Sequence, residues 1–166
     1  MQAIDSELLS RLLDEHSGAL VLYAQQLCST PEDVVQEAFI LLMKQRSAPA
    51  NVVGWLYRVV RNEAISASRA DSRRDRHESS AGAAREAWFD PPFDAAIDAA
   101  MVVTALGALP KEEREVVVLR IWGDRSFEEI AELIGKSTST AHRRFENGLE
   151  SLRAACLSSR NRESLK

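Results

Sequence analysis

The chain has 166 residues, enough for one domain or for two small ones. Hydrophobic residues make up 45% of the sequence and charged residues 28%, so the chain can bury a core and is neither a disordered tail nor a collagen-like fibre. Aromatic residues amount to only 6%, with 7 glycines and 5 prolines. Because a sheet-rich sandwich needs many tight turns, this composition favours an all-α protein.

No stretch of the sequence predicts a membrane segment. The longest nearly unbroken apolar run, residues 99–109, is well short of the roughly 20 residues that a transmembrane helix requires. The opening MQAIDSELLSRLLDEH lacks the basic and then apolar pattern of a signal peptide. Cys28 and Cys156 have neither CxxC spacing nor neighbouring histidines, so we predict no disulfide framework and no zinc site. We therefore expect a cytoplasmic protein without membrane insertion.

The formal net charge of −4 hides a segregation of charge along the chain. Residues 46–77 carry seven arginines against three acidic residues, and residues 136–166 carry seven basic against three acidic residues. The remaining segments are acidic. Two basic blocks in an acidic protein fit two separate phosphate-facing surfaces, and solvated helix faces are the alternative.

Hydrophobic periodicity predicts three helices in the first part of the chain. Apolar residues over residues 8–27 recur at spacings of three, four and seven, which predicts one helix or a broken pair. Thr30 as N-cap and Pro31 at the first helical position open a second helix that runs through Lys44. Asn51 can cap a third helix, which ends in an arginine-rich stretch.

The second helix has two contrasting faces. One side is apolar and consists of Val34, Val35, Ala38, Phe39, Leu42 and Met43. The other side carries a polar stripe at spacings of three and four: Asp33, Gln36, Glu37, Ile40 and Lys44. Paired carboxylates can perform acid–base chemistry or bind a metal, but no histidine or third carboxylate converges on this stripe. We predict a docking surface for a basic partner, with a solvated helix face as the alternative.

The third helix combines aromatic and basic side chains. Trp55 and Tyr57 are followed by a series of arginines, namely Arg58, Arg61, Arg69, Arg73, Arg74 and Arg76. Aromatic rings stack on unpaired bases while arginines follow the phosphate backbone, so the helix is typical of a single-strand binding surface. Because Trp55 and Tyr57 are two residues apart, we expect at most one of them to be exposed.

A break in helical periodicity separates two domains. Residues 78–94 contain serines, a glycine and a proline pair and are predicted to form a flexible linker between domains at residues 1–77 and 95–166. Its aromatic residues suggest that part of it docks on a domain; these are Trp88, Phe89 and Phe93. The second domain begins with two predicted helices, over residues 95–109 and 112–122.

The rest of the second domain predicts a helix-turn-helix. Ser126 and Glu129 form the capping box of a short helix, Gly135 supplies the turn, and Ser137 or Thr138 opens the last helix. The predicted shared core is Ile130, Leu133, Ile134, Ala141, Phe145 and Leu149.

The start of the last helix is rich in groups that bond phosphates or base edges. They are Ser137, Thr138, Ser139, Thr140, His142, Arg143 and Arg144. This is where a recognition helix needs such side chains, and an ordinary helical hairpin with a polar surface is the alternative. His142 by itself carries little weight, because exposed histidines are common and no second metal ligand is in register with it.

Taken together, these segments resemble the extracytoplasmic-function (ECF) sigma factors of bacterial RNA polymerase. The resemblance rests on PEDVVQEAF, on WLYRVVRNEAI with its arginine-rich tail, on LPKEEREVVVLRIWGDRSFEEIAELIGKSTSTAHRR and on a closing LESLR. It covers roughly residues 8–153. The implied fold is two small helical domains joined by a flexible linker: a sigma region 2 bundle of three or four helices and a sigma region 4 helix-turn-helix.

The resemblance also implies partners for each surface. The polymerase core would be bound by Asp33, Gln36, Glu37 and Ile40, through the clamp helices of its largest subunit, with its β-flap as a further contact. Residues 46–53 match the family's loop for a flipped base. The minus-10 DNA would be read by Trp55, Tyr57, Arg58, Arg61, Asn62, Arg69, Arg73 and Arg74, and the minus-35 DNA by the seven residues that open the last helix. The family further implies an anti-sigma protein and no catalytic residue, metal or cofactor.

Two departures from the family pattern lie after the recognition segment. Asn147 stands where an arginine is common, and Gly148 follows inside the predicted helix, at a cost of about 1 kcal/mol relative to alanine. The family's minus-35 contacts at this end are therefore not carried over to this chain.

Two other classes of protein compete with this interpretation. A stand-alone regulator with the same helix-turn-helix would bind an operator without polymerase, but the chain has no heptad seam for a dimer. A helical hydrolase or metal enzyme is disfavoured because neither GxSxG nor HExxH occurs.

Overall fold

The computed structural model describes the backbone of residues 4–76 and 96–163 and the side chains of residues 4–76 and 102–158. Its helices are α1 (Ser6–Gln25), α2 (Pro31–Met43), α3 (Val52–Asp75), α4 (Ala96–Gly107), α5 (Lys111–Ile121), α6 (Phe127–Ile134) and α7 (Thr138–Glu163). They form two compact units, α1–α3 and α4–α7. No strand occurs in the described ranges, and the all-α prediction is confirmed. The predicted linker and its three aromatic residues lie outside the described residues.

Side-chain caps set the helix starts of the first unit. The Asp5 carboxylate accepts a hydrogen bond from the Leu8 N–H at 2.8 Å and opens a single continuous α1, not a broken pair. The Asn51 side chain accepts from the Gly54 N–H at 2.8 Å and opens α3 as predicted. Thr30 occupies the N-cap of α2, but its side chain makes no capping hydrogen bond.

The core of the first unit lies where α1, α2 and α3 pack against one another. Its largest fully buried side chains are Leu20, Val21, Tyr23, Val35, Leu42, Leu56, Tyr57 and Val60. Five of the six residues on the apolar side predicted for α2 are buried, and the sixth, Met43, is 56% exposed. Met43 is exposed because it follows the last core position, Leu42, at the very end of the helix.

The second unit is built around α7, which packs against α4, α5 and α6. Of the predicted helix-turn-helix core, Ile130, Ile134 and Ala141 are buried. The other members are half-buried: Leu133, Phe145 and Leu149. The short α6 and the start of α7 are therefore held on a shared apolar surface.

Gly148 is buried where α7 packs against α5. A Cβ atom added at this position would lie 2.5 Å from Cγ2 of Val117, and 3.4 Å from both the Glu113 carbonyl oxygen and Cδ2 of Leu109. Real Cβ atoms essentially never come within 3.0 Å of another heavy atom. Gly148 lowers the helix propensity of α7, but the absence of a side chain there lets α7 pack closely against α5.

Candidate polymerase and nucleic-acid interfaces

The outer face of α2 carries an exposed acidic stripe, defined here as Asp33, Gln36, Glu37 and Ile40. The first three side chains are exposed and Ile40 is half-buried. The opposite side of the helix is fixed in the core by residues such as Val35 and Leu42, so the stripe cannot turn inward. Lys44, which ends the predicted stripe, is exposed as well, so the predicted polar face with an isoleucine in its middle is confirmed.

The first half of α3 presents a mixed surface. Arg58 and Asn62 are exposed, whereas Trp55 and Arg61 are half-buried. Tyr57 is only 1% exposed, and its ring centroid lies 5.5 Å from that of Tyr23 in the core. The expectation that Tyr57 contacts minus-10 DNA is therefore wrong, because a buried ring cannot stack on a base. The expectation that at most one of the two aromatic residues is exposed is confirmed.

The second half of α3 is dominated by arginines. Arg69 and Arg73 are exposed, and a cavity of about 350 Å³ along the helix is lined by Ser68, Arg69, Ser72, Arg73 and Arg76. Guanidinium and hydroxyl donors on one helix face suit the oxygens of a phosphate backbone.

Asp71 neutralises part of this basic surface. Its carboxylate accepts from Nη2 of Arg74 at 2.9 Å and from the Ser29 hydroxyl at 2.5 Å. Asp71 thus ties the loop between α1 and α2 to α3, and Arg74 pairs with Asp71 on the helix surface while its own side chain stays 73% exposed. In the same loop, burial raises the pKa of the Cys28 thiol, which donates to the Ala24 carbonyl at 3.4 Å.

In the second unit, the start of α6 is fixed by a hydrogen-bonded network. Ser126 and Glu129 form the predicted capping box, with N–H to oxygen distances of 3.2 and 2.9 Å. Arg125 bonds Glu129 at 3.0 Å and the Gly123 carbonyl at 2.8 Å. Nη1 of Arg120 donates to the Arg125 carbonyl at 2.9 Å.

The turn between α6 and α7 has the geometry that the sequence predicts. Gly135 adopts φ 65° and ψ 39°, in the left-handed region where glycine avoids strain. The Ser137 hydroxyl accepts from the Thr140 N–H at 3.2 Å and lies 2.9 Å from the Thr140 hydroxyl. Ser137 and Thr140 therefore bond each other at the helix start.

The seven predicted minus-35 residues divide into exposed and engaged side chains. Ser139, His142 and Arg143 are exposed, while Thr138 and Thr140 are half-buried. Ser137 is exposed as well, but it holds the cap just described.

Arg144 points to the interior of the unit rather than to open solvent. Its side chain is only 18% exposed, and its Nη2 lies 3.3 Å from the Glu112 carboxylate of α5, whose side chain is 73% exposed. Arg144 therefore contributes to packing as well as to charge pairing. Only the small exposed part of its side chain is available for the predicted contact with minus-35 DNA.

An aromatic residue that the sequence did not indicate lies under the recognition segment. Phe127, the first residue of α6, stacks on His142 with ring centroids 3.6 Å apart and planes inclined by 28°. The two residues belong to different helices, so no periodicity links them.

The pKa of the nearby Glu128 is lowered, because its carboxylate accepts hydrogen bonds from its own N–H and from Ser126 and lies near His142 and Arg120.

Other kinds of site are absent from the described residues. Within these ranges, no three or more histidine, cysteine, aspartate or glutamate side chains cluster as metal ligands. No helix in the described part of the chain has the length and apolar character to cross a membrane.

Comparison with known proteins identifies both units. Residues 12–74 match the family described as Sigma-70 region 2, and residues 99–152 match Sigma-70, region 4. The chain is 28% identical over 162 residues to the ECF RNA polymerase sigma factor SigL of Mycobacterium tuberculosis, covering 91% of this chain and 90% of SigL.

Two solved structures share the fold. One is the sigma factor RpoE in complex with the anti-sigma factor NepR from Bartonella quintana, with a TM-score of 0.68, 22% identity, and coverage of 92% of this chain and 98% of RpoE. The other is CnrH in complex with the cytosolic domain of CnrY, with a TM-score of 0.62, 21% identity, and coverage of 93% and 91%. With region 2 and region 4 matched in order over well over half of its length, the chain belongs to the sigma-70 family as an ECF RNA polymerase sigma factor.

Proposed function

We propose that this sigma factor assigns one task to each exposed surface: the acidic stripe of α2 binds core polymerase, α3 reads melted minus-10 DNA, and the start of α7 reads minus-35 duplex. The observation that carries the proposal is the acidic stripe, since Asp33 and Glu37 are exposed on a helix whose other side is locked in the core. Two exposed carboxylates followed one turn later by a half-buried isoleucine suit a basic helical partner.

For the minus-10 element, the contacts come from the side chains that α3 leaves accessible. Arg58, Asn62, Arg69 and Arg73 are exposed, and Trp55 and Arg61 are half-buried. Releasing a base from a duplex costs a few kcal/mol of free energy, and stacking the base on an aromatic side chain regains about 1 to 3 kcal/mol. Trp55 is the stacking residue in this proposal, because Tyr57 is buried. Melting then needs no ATP, and the protein needs no catalytic chemistry of its own.

For the minus-35 element, Ser139, His142 and Arg143 form the reading set, because they are the exposed polar side chains that follow the Ser137 cap. Arg143 can bond guanine or a phosphate, and Ser139 can bond either a base or a phosphate. The exposed carboxylate of Glu146 lies one turn further on and repels phosphates, which limits the contact to the first two turns of α7.

Regulation by an anti-sigma protein is part of the proposal. RpoE of Bartonella quintana is complexed with an anti-sigma factor, and CnrH with the cytosolic domain of CnrY. A protein that covers the acidic stripe or the basic face of α3 would compete directly with polymerase or promoter. The proposed place of action is the cytoplasm, where RNA polymerase works.

The first test is promoter-directed transcription with purified core polymerase, with and without this chain. Glu37→Lys reverses one charge of the acidic stripe and should weaken core binding by at least about tenfold, as expected when a charge in an interface is reversed. The measurement is a titration of labelled core, with circular dichroism to show that the helix content is unchanged.

Glu15→Lys is the matched control, because it makes the same change on an exposed position of α1 in the same unit. It should bind core as the unaltered chain does. Equal binding by the Glu37 and Glu15 variants, or tight sequence-specific DNA binding by the isolated chain, contradicts the proposal and favours a stand-alone regulator.

A further inference from the structure

The Phe127 ring is fixed from several directions. Phe145 of α7 meets it edge-on with centroids 5.4 Å apart, and the guanidinium carbon of Arg120 lies 4.9 Å above its centroid. These groups come from α5 and α7 and leave the ring of α6 little room to rotate. The stack with His142, at 3.6 Å, completes this surround.

The start of α6 is held equally firmly. Phe127 directly follows Ser126, whose capping box with Glu129 sets where the helix begins. Arg125 joins Glu129 to the turn at Gly123, so the backbone on both sides of the ring is hydrogen-bonded. A ring mounted on such a fixed backbone is a rigid support rather than a loosely packed side chain.

His142 is the exposed partner of this rigid support. On the recognition segment, Thr140 is bonded to Ser137 and Arg144 pairs with Glu112, so neither side chain is positioned to read a base. The imidazole of His142 is exposed and carries both a donor and an acceptor in its neutral form. A side chain whose orientation is fixed in advance loses less entropy on binding than a mobile one.

We propose that Phe127 is a positioning residue for minus-35 recognition, which orients the His142 imidazole toward the promoter without touching DNA itself. The inference rests on the proposed function, since it concerns the same reading surface. Its consequence is that promoter preference depends on a side chain outside the recognition helix, on α6. Uniform loss of DNA affinity is not expected, because Ser139 and Arg143 keep their exposure.

The test uses holoenzyme assembled from core polymerase and the full chain. A promoter library with a randomised minus-35 element and a constant minus-10 element is transcribed, and the transcripts are sequenced. His142→Ala should change the base preference at one or two minus-35 positions by about fivefold or more, and Phe127→Leu should change the same positions. The Phe127→Leu, His142→Ala double variant should add nothing to the single changes. Phe127→Tyr keeps the ring and should restore the original preference.

Three outcomes would each overturn the inference and leave the proposed function intact. In the first, His142→Ala leaves every minus-35 base preference unchanged. In the second, Phe127→Leu alters positions that His142→Ala does not alter, and in the third, Phe127→Leu lowers transcription evenly over the library. The first outcome uses only the His142→Ala variant, so the inference can be refuted even if Phe127→Leu does not fold. The proton resonances of the His142 ring give a second measurement, since loss of the stack in Phe127→Leu should move them downfield. If holoenzyme with the unaltered chain shows no minus-35 dependence at all, the proposed function fails instead.

Discussion

The two units use their polar side chains in different ways. In the first unit, the acidic stripe of α2 lies on the outer side of a helix whose opposite side packs in a core of aliphatic and aromatic residues. In the second unit, several candidate DNA-binding residues also stabilise the domain. Ser137 caps α7, Arg144 pairs with α5, and His142 stacks on α6.

The difference is clearest at α6, which is shorter than any helix of the first unit. The three helices of the first unit are 20, 13 and 24 residues long and enclose two fully buried tyrosines. In the second unit, α6 has only 8 residues, so hydrogen bonds and ring contacts must help to hold it in place. We therefore expect substitutions of Ser137, His142 and Arg144 to affect both stability and DNA recognition, and substitutions of Asp33 and Glu37 to affect mainly binding.

The largest effect within the second unit is expected at Gly148. Gly148→Ala improves helix propensity by about 1 kcal/mol, but overpacking against Val117 costs about 1 to 3 kcal/mol, so we expect a net loss of stability. Urea unfolding followed by circular dichroism measures it. Gly107→Ala is the control, since among the described residues no atom beyond its chain neighbours and its own helix backbone lies within 4 Å of an added Cβ. A Gly148→Ala variant as stable as the unaltered chain would show that the helix crossing is not tight.

The next largest loss of stability is expected at the N-cap of α6, Ser126, which is compared with the N-cap of α2, Thr30. Ser126→Ala should lose about 1 kcal/mol, because it removes the capping box of the short α6. Thr30→Ala should change stability by only a few tenths of a kcal/mol, because the Thr30 side chain makes no capping bond. Thermal unfolding of both variants compares the caps directly. Similar losses at the two positions would remove the contrast between the units.

The smallest effect distinguishes two neighbouring arginines. Arg144→Ala should cost up to about 1 kcal/mol of stability, because Glu112 is largely exposed and solvent screens the pair. Arg143→Ala should leave stability unchanged and weaken minus-35 recognition instead. A double-mutant cycle of Arg144→Ala with Glu112→Ala measures the coupling between the pair, and a coupling of zero contradicts the charge-pairing role of Arg144.

Features with local causes could be predicted from the sequence. The caps at Asn51 and Ser126 depend on residues three positions apart, and the left-handed Gly135 follows from its place after a short helix. The exposure of Asp33 and Glu37 follows from the apolar residues on the other side of the same helix. Each of these predictions needed only one helix and its ends.

Features that depend on a second helix could not be predicted. Tyr57 and Trp55 have similar sequence surroundings, and only packing against Tyr23 decides which is buried. Arg144 resembles Arg143 until Glu112 of α5 is placed beside it. The pairing of Phe127 with His142 and the need for a glycine at position 148 likewise arise only when the helices are brought together.

The continuous α7 links two of these features mechanically. Gly148 and His142 lie on the same helix, six residues and about 9 Å apart along its axis. A bulkier residue at position 148 would tilt α7 relative to α5, and His142 would move with the helix. Mutants selected to restore expression from an altered promoter should therefore include changes in the interior, at sites that never meet nucleic acid.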